Sequence, residues 1–202
     1  TLFSSDVDAN DMTRILFWDT EQLTVSSKVG GSFPIDYRLT RTFRDPSAWY
    51  HIVVAMDTTQ ATDTNRLKIY INGVLETAYE GSSASLPSLD EDTWINSTNP
   101  QIIGKSQTYD GLYGGSMAMV QFVDGQQLTP AYFGSTDTAS GIWTPQASST
   151  ISSYGTNGFK LKMDTTSPGA DTSGNTNTFT ASGTPTLTQG SPSNVYATLN
   201  PL

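Results

Sequence analysis

Residues 49–75 read WYHIVVAMDTTQATDTNRLKIYINGVL, and their alternation decides the fold class. In the first half, Tyr50, Ile52, Val54 and Met56 fall on one face of an extended chain, and Trp49, His51, Val53 and Ala55 on the other. Both faces are largely apolar, the pattern of a strand deep inside a sheet. In the second half, Leu67, Ile69 and Ile71 alternate with Arg66, Lys68, Tyr70 and Asn72. That gives one face for the core and one for water. Asn72-Gly73 then supplies the two positive-φ positions of a two-residue hairpin turn. Antiparallel β structure follows from this stretch alone.

Strand patterns recur on either side, at 14–18, 23–26, 37–43, 74–79, 101–104, 117–123 and 159–163. The last alternates Phe159, Leu161 and Met163 with Lys160, Lys162 and Asp164. Punctuation by Gly, Pro, Asn and Asp predicts an all-β, antiparallel sandwich or jelly roll. Thr129, Pro130 and Gly134 stand at the N-cap, the first helical position and just past the end of one helical turn. A single turn, 3₁₀ in type, is expected there, plugging one end of the sandwich. Residues 148–157 and 165–193 are rich in Ser, Thr, Gly, Asn and Pro and read as long ordered loops. The expected organisation is a β-sandwich over 1–164. Residues 165–202 then form a loop-rich segment packed on it or leading to a further domain.

The 202 residues suffice for one large β domain. Hydrophobic residues make up 36% and charged residues only 14%, a balance that suits extracellular β proteins and viral appendages. Nineteen acidic residues against ten basic ones give a net charge of −9, which argues against nucleic acid and anionic membranes as partners. With no cysteine there is no disulfide framework or thiolate chemistry, and a zinc site would have to be built around the single His51. No apolar run has the roughly 18 residues of a membrane span, and no signal peptide is visible. A start at Thr1 is that expected of a processed product or a fragment.

Catalytic chemistry is hard to find. His51 lies mid-strand, where a histidine packs more readily than it catalyses. There is no Gly-x-Ser-x-Gly nucleophile elbow. Glycan hydrolysis needs two carboxyl groups across the scissile bond, and Glu21, Glu76, Glu80 and Glu91 form no Glu-x-Asp-x-x-Glu run. Asp90-Glu91-Asp92 reads as a solvated acidic turn. Asp57, at the end of a strand, and Asp124, in a turn, are the candidate calcium ligands, although turn aspartates more often shape turns. Asp110 sits at a third turn. No other cofactor is expected.

The binding signal lies in one loop. Tyr109-Asp110-Gly111-Leu112-Tyr113-Gly114-Gly115 joins two tyrosines and an acid on a glycine-rich, mobile stretch. Aromatic faces beside carboxylate acceptors suit sugar rings. Tyr109, Asp110 and Tyr113 are therefore the candidate carbohydrate-binding residues. The same tyrosines would serve equally to cap the core or an intersubunit contact. Asn96-Ser97-Thr98 matches a glycosylation sequon, which has meaning only in a secretory pathway.

Two blocks stand out first, Arg44-Asp45-Pro46-Ser47-Ala48-Trp49-Tyr50 and Arg66-Leu67-Lys68-Ile69-Tyr70-Ile71-Asn72-Gly73. Phe122-Val123-Asp124-Gly125, Gly141-Ile142-Trp143-Thr144-Pro145 and Tyr154-Gly155-Thr156-Asn157-Gly158-Phe159 follow, as does the ending Ala197-Thr198-Leu199-Asn200-Pro201-Leu202. In this order the blocks resemble the laminin-G-like, concanavalin A-like jelly rolls of tailed-phage structural proteins. The resemblance implies a lectin-like virion protein, a tail or capsid fibre of a marine phage, without catalytic residues. It implies virion proteins, further copies of the chain (a trimer by family analogy) and host-surface glycans as partners, and the extracellular particle as location. A purely structural role in decorating or joining the particle is the competing expectation. Two departures stand out. Gly114-Gly115 and Met119 replace the family's Asp-Gly and Glu, and family members carry further strands before the counterpart of Thr1. Missing first strands would leave a sheet edge open to a neighbouring strand.

Overall fold

The computed structural model describes residues 1–80, 85–109, 111–146, 150–163 and 167–186. Among these residues twelve strands follow in order: β1 (Phe3–Asp6), β2 (Met12–Phe17), β3 (Gln22–Val29), β4 (Ser32–Thr42), β5 (Ile52–Met56) and β6 (Leu67–Ile71). Then come β7 (Val74–Leu75), β8 (Ile102–Ile103), β9 (Val120–Phe122), β10 (Gly134–Thr136), β11 (Trp143–Pro145) and β12 (Phe159–Leu161). The registered pairings are antiparallel, and the only helices among the described residues are 3₁₀ turns at Asp63–Asn65 and Pro130–Tyr132. The chain is all-β, as the alternation predicts.

It divides into two compact units. The first holds Thr1–Pro46, Val54–Ile69 and Val74–Gly114; the second holds Ser47–Val53, Tyr70–Gly73 and the chain from Gly115 onward.

The first unit is built on a five-stranded sheet in the order β4-β3-β2-β1-β8. Directly opposed residues of an antiparallel pair share a face, so the register sorts the side chains. Ile15, Val25 and Tyr37 form one row, with Leu23, Ile35 and Leu39 buried on the same apolar face. On the opposite face Ser4, Arg14, Ser26 and Asp36 form a row across four strands. Gly30 and Gly31, with φ of 55° and 86°, close the β3–β4 hairpin where Val29 meets Ser32. Beyond β4, the Thr40 amide donates to Ala78 O and Ser85 and Asp36 exchange hydrogen bonds, so part of that edge is paired.

The Asn72-Gly73 turn forms as its sequence demands, with φ of 50° and 80° between β6 and β7. Leu67, Ile69 and Ile71 are buried and Lys68 and Tyr70 are not. β5 differs from expectation. It begins at Ile52, pairs only with β6 among the described residues, and buries Val53 and Ala55 while Ile52, Val54 and Met56 stay partly exposed. β5 is the edge strand of that three-stranded sheet, and its second apolar face is only partly covered.

In the second unit β9 pairs with β12, stacking Phe122 on Phe159 with ring centres 5.7 Å apart. The expected single turn appears at Pro130–Tyr132, with Thr129 extended before it but making no side-chain cap. Gly134 does not end that turn in the left-handed region; it opens β10 instead. Its glycine is needed because a Cβ would lie 2.7 Å from Trp143 Cζ2. Residues 167–179 are ordered around Asp171, which accepts hydrogen bonds from the Lys160, Ser173 and Asn177 amides. Phe179 packs edge-on against Phe159 at 4.7 Å.

Candidate functional site

The loop after β8 is fastened to β1. Ser4 Oγ donates to Lys105 O at 2.9 Å, and the hydroxyl of Ser106 donates to Asp6 Oδ2. The same carboxylate oxygen accepts the Thr108 amide at 3.1 Å, and the Tyr109 amide reaches Ser106 Oγ at 3.3 Å. Asp6 is 2% exposed, and its Oδ1 has no hydrogen-bond partner among the described residues. One buried carboxylate therefore sets the path of a loop a hundred residues further along the chain.

This path carries the Tyr109 ring to Arg14, whose guanidinium carbon lies 4.8 Å from the ring centre. Arg14 shares one face of β2 with buried Met12 and Leu16. Burial pulls its pKa below the ordinary value, and the nearby Asp6 and Tyr109 oppose that shift. The cation–aromatic contact is a natural use for a guanidinium that is 9% exposed and whose Nε has no hydrogen-bond partner. Tyr109 itself is 45% exposed. The result is an outward aromatic surface, held from behind by a cation and from below by a carboxylate–hydroxyl pair.

The other expected residues fall as follows. Tyr113 turns back toward the sheet: its amide donates to Gly104 O at 2.8 Å, its ring is partly buried, and burial raises its phenol pKa. Asp110 lies outside the described residues. Asp57, in the first unit, spends its carboxylate on its own turn, accepting from Thr59 Oγ1 at 2.7 Å and Gln60 Nε2 at 2.6 Å. Those bonds hold its pKa below the ordinary value. Asp124, in the second unit, accepts the Asn157 amide at 3.1 Å. Among the described residues no three His, Asp or Glu side chains cluster as a metal site would require. His51 packs in the second unit beside Trp143 and Phe133, at 5.5 and 6.3 Å, and burial lowers its pKa.

Sequence reading missed Asp6, Arg14 and Ser106. A usable signal existed at Arg14, a charge between Met12 and Leu16 on one strand face, which demands a partner when buried. Nothing local pointed to Asp6 and Ser106, which are a hundred positions apart.

The class of fold is lectin-like, as the family of the chain shows. The chain belongs to the Concanavalin A-like lectin/glucanases superfamily: residues 1–132 match its family model Laminin G 3. No curated protein and no solved structure matches the chain.

Proposed function

We propose that this chain is a non-enzymatic, glycan-binding module of a virion appendage, with Tyr109 as its principal contact. The observation that carries the binding reading is the exposed Tyr109 ring backed by Arg14 and positioned through Asp6 and Ser106. A sugar presents an apolar C–H face that stacks on such a ring, and hydroxyls for the polar groups beside it. One stack is worth on the order of 1 kcal/mol, so attachment would rest on many copies acting together. The virion location is supported by the resemblance of the sequence blocks to tailed-phage jelly rolls.

The superfamily includes glucanases by its description, so the absence of catalysis is part of the proposal. Three of the four glutamates are engaged by arginines: Glu21 by Arg44, Glu76 by Arg41 and Glu80 by Arg38. His51, the one imidazole, packs beside the Trp143 and Phe133 rings. Glycan-array binding by the intact chain, weakened severalfold in Tyr109→Ala with the melting temperature unchanged, is the expected result. Release of reducing sugars, abolished by Glu76→Gln or Glu91→Gln, would refute the non-enzymatic part.

A structural role in joining virion parts is the second reading. Tyr113 weakens the glycan reading to that extent, since its ring is partly buried against its own chain and leaves Tyr109 to act alone. Under that reading Tyr109→Ala impairs particle assembly and no glycan binds.

A further inference from the structure

The geometry points to a second stacking platform, built by Trp18, Arg38 and Glu80, that takes neutral, hydroxyl-rich sugar chains. It rests on the glycan-binding reading above and deepens it. Trp18 follows β2 in a tight turn: its amide donates to Gln22 O at 2.9 Å and its carbonyl accepts from Glu21, whose φ is 63°. The indole is 38% exposed, and the Arg38 guanidinium carbon lies 4.6 Å from its ring. Arg38 leaves the same face of the five-stranded sheet as Arg14, because Arg14, Ser26 and Asp36 form one row and Arg38 is two residues past Asp36. The arrangement found at Tyr109 is thus repeated on the same face: an exposed ring with an arginine against it.

The polar groups around the ring define the ligand. Glu80 accepts from Gln22 Nε2 at 2.7 Å and faces Arg38 Nη1 at 3.4 Å. Gln22 in turn accepts from Thr20 Oγ1 at 2.6 Å. Thr24, level with Arg38 in the register, is fully buried and so takes no part in what a ligand meets. Donors and acceptors are therefore mixed, and the Arg38–Glu80 pair has no net charge. Sugar hydroxyls, which both donate and accept, match this set. A uronate or sulfated sugar would meet the Glu80 carboxylate on a chain of net charge −9 and would be disfavoured.

The test uses the full chain with neutral hexaoses of glucose and of mannose, and with oligogalacturonate as the anionic comparison. The Trp18 indole N–H resonance of the wild-type protein should shift on adding a neutral hexaose and stay in place with the uronate. Trp18→Ala should weaken hexaose binding roughly fivefold, Trp18→Tyr should restore most of it, and Trp18→Ala with Tyr109→Ala should abolish it. A Trp18 resonance that does not move with any neutral hexaose overturns the inference, whether or not Trp18→Ala folds. If binding depends on Tyr109 alone, the second platform falls and the glycan-binding reading stands. If the wild-type chain binds no glycan at all, both fall.

Discussion

The Arg14 guanidinium, on the second strand, lies 4.8 Å from the ring centre of Tyr109, on a loop ninety-five residues later. Among the described residues Arg14 has no ion pair within 4 Å, and its Nε has no hydrogen-bond partner. A buried cation with an unpartnered Nε costs stability, yet here it supports an exposed ring and faces the buried Asp6 carboxylate. Arg14→Met keeps the side-chain length but leaves that carboxylate buried without its nearby cation, so the melting temperature should fall. Glycan affinity should fall severalfold as the ring loses its backing. Thermal melts and array titrations on one preparation check both, and a melt that stays level would show that the charge does not stabilise the fold.

Folding stability should fall as the pH drops below about 6.5, the ordinary histidine value. Burial beside Trp143 and Phe133 disfavours the imidazolium, so the folded-state pKa of His51 lies below the unfolded one. Between the two values the unfolded chain binds a proton that the folded chain refuses. The stabilisation is complete above the unfolded pKa and is lost as pH falls through to the folded one. His51 is the only histidine, and the partly buried Thr1 amine titrates in the same range, so the difference between wild-type and His51→Phe urea melts from pH 7.5 to 5.5 reports its effect. His51→Phe should flatten the slope over that window.

Gly134→Ala should destabilise the chain by about 1–3 kcal/mol, the usual cost of overpacking. The φ of Gly134 is not in the left-handed region, so the penalty is steric: the new Cβ meets Trp143 Cζ2 at 2.7 Å and Thr144 O at 2.8 Å. Combining it with Trp143→Leu should cost less than the sum of the single changes, because removing the indole relieves part of the clash. Denaturant melts of the four proteins give the coupling. Strict additivity would mean that Trp143 is not the obstacle.

Neither added calcium nor EDTA should move the melting temperature. The Asp57 carboxylate is committed to Thr59 and Gln60, and Asp124 to the Asn157 amide. Differential scanning fluorimetry with each additive checks this, and a rise with calcium that Asp57→Asn or Asp124→Asn removes would restore those residues as ligands.

Legibility followed the range of the interaction. The β6 alternation and the Asn72-Gly73 turn were readable because both depend on neighbours within a few positions. The Gly30-Gly31 hairpin carried an equally local signal that was overlooked; β3 and β4 run to meet at it, well past the 23–26 and 37–43 segments expected. β1, Phe3–Asp6, was not anticipated, because Ser4, Ser5 and Asp6 are poor strand formers by composition. Its place between β2 and β8 rewards the extended form by burying all three.

By itself the sequence determined the all-β class, the antiparallel sense and the aromatic loop at Tyr109, since two-residue periodicity and turn chemistry are properties of short segments. The tertiary structure decided what stands behind that loop. Asp6 meets Ser106, Arg14 meets Tyr109 and Glu80 joins Gln22 to Arg38 only once strands distant in sequence are laid side by side. Strand order depends on which apolar faces cover one another and on the entropy of closing the loops between them. Neither quantity is written in any single stretch of residues, so polar contacts between distant strands become visible only in the folded chain.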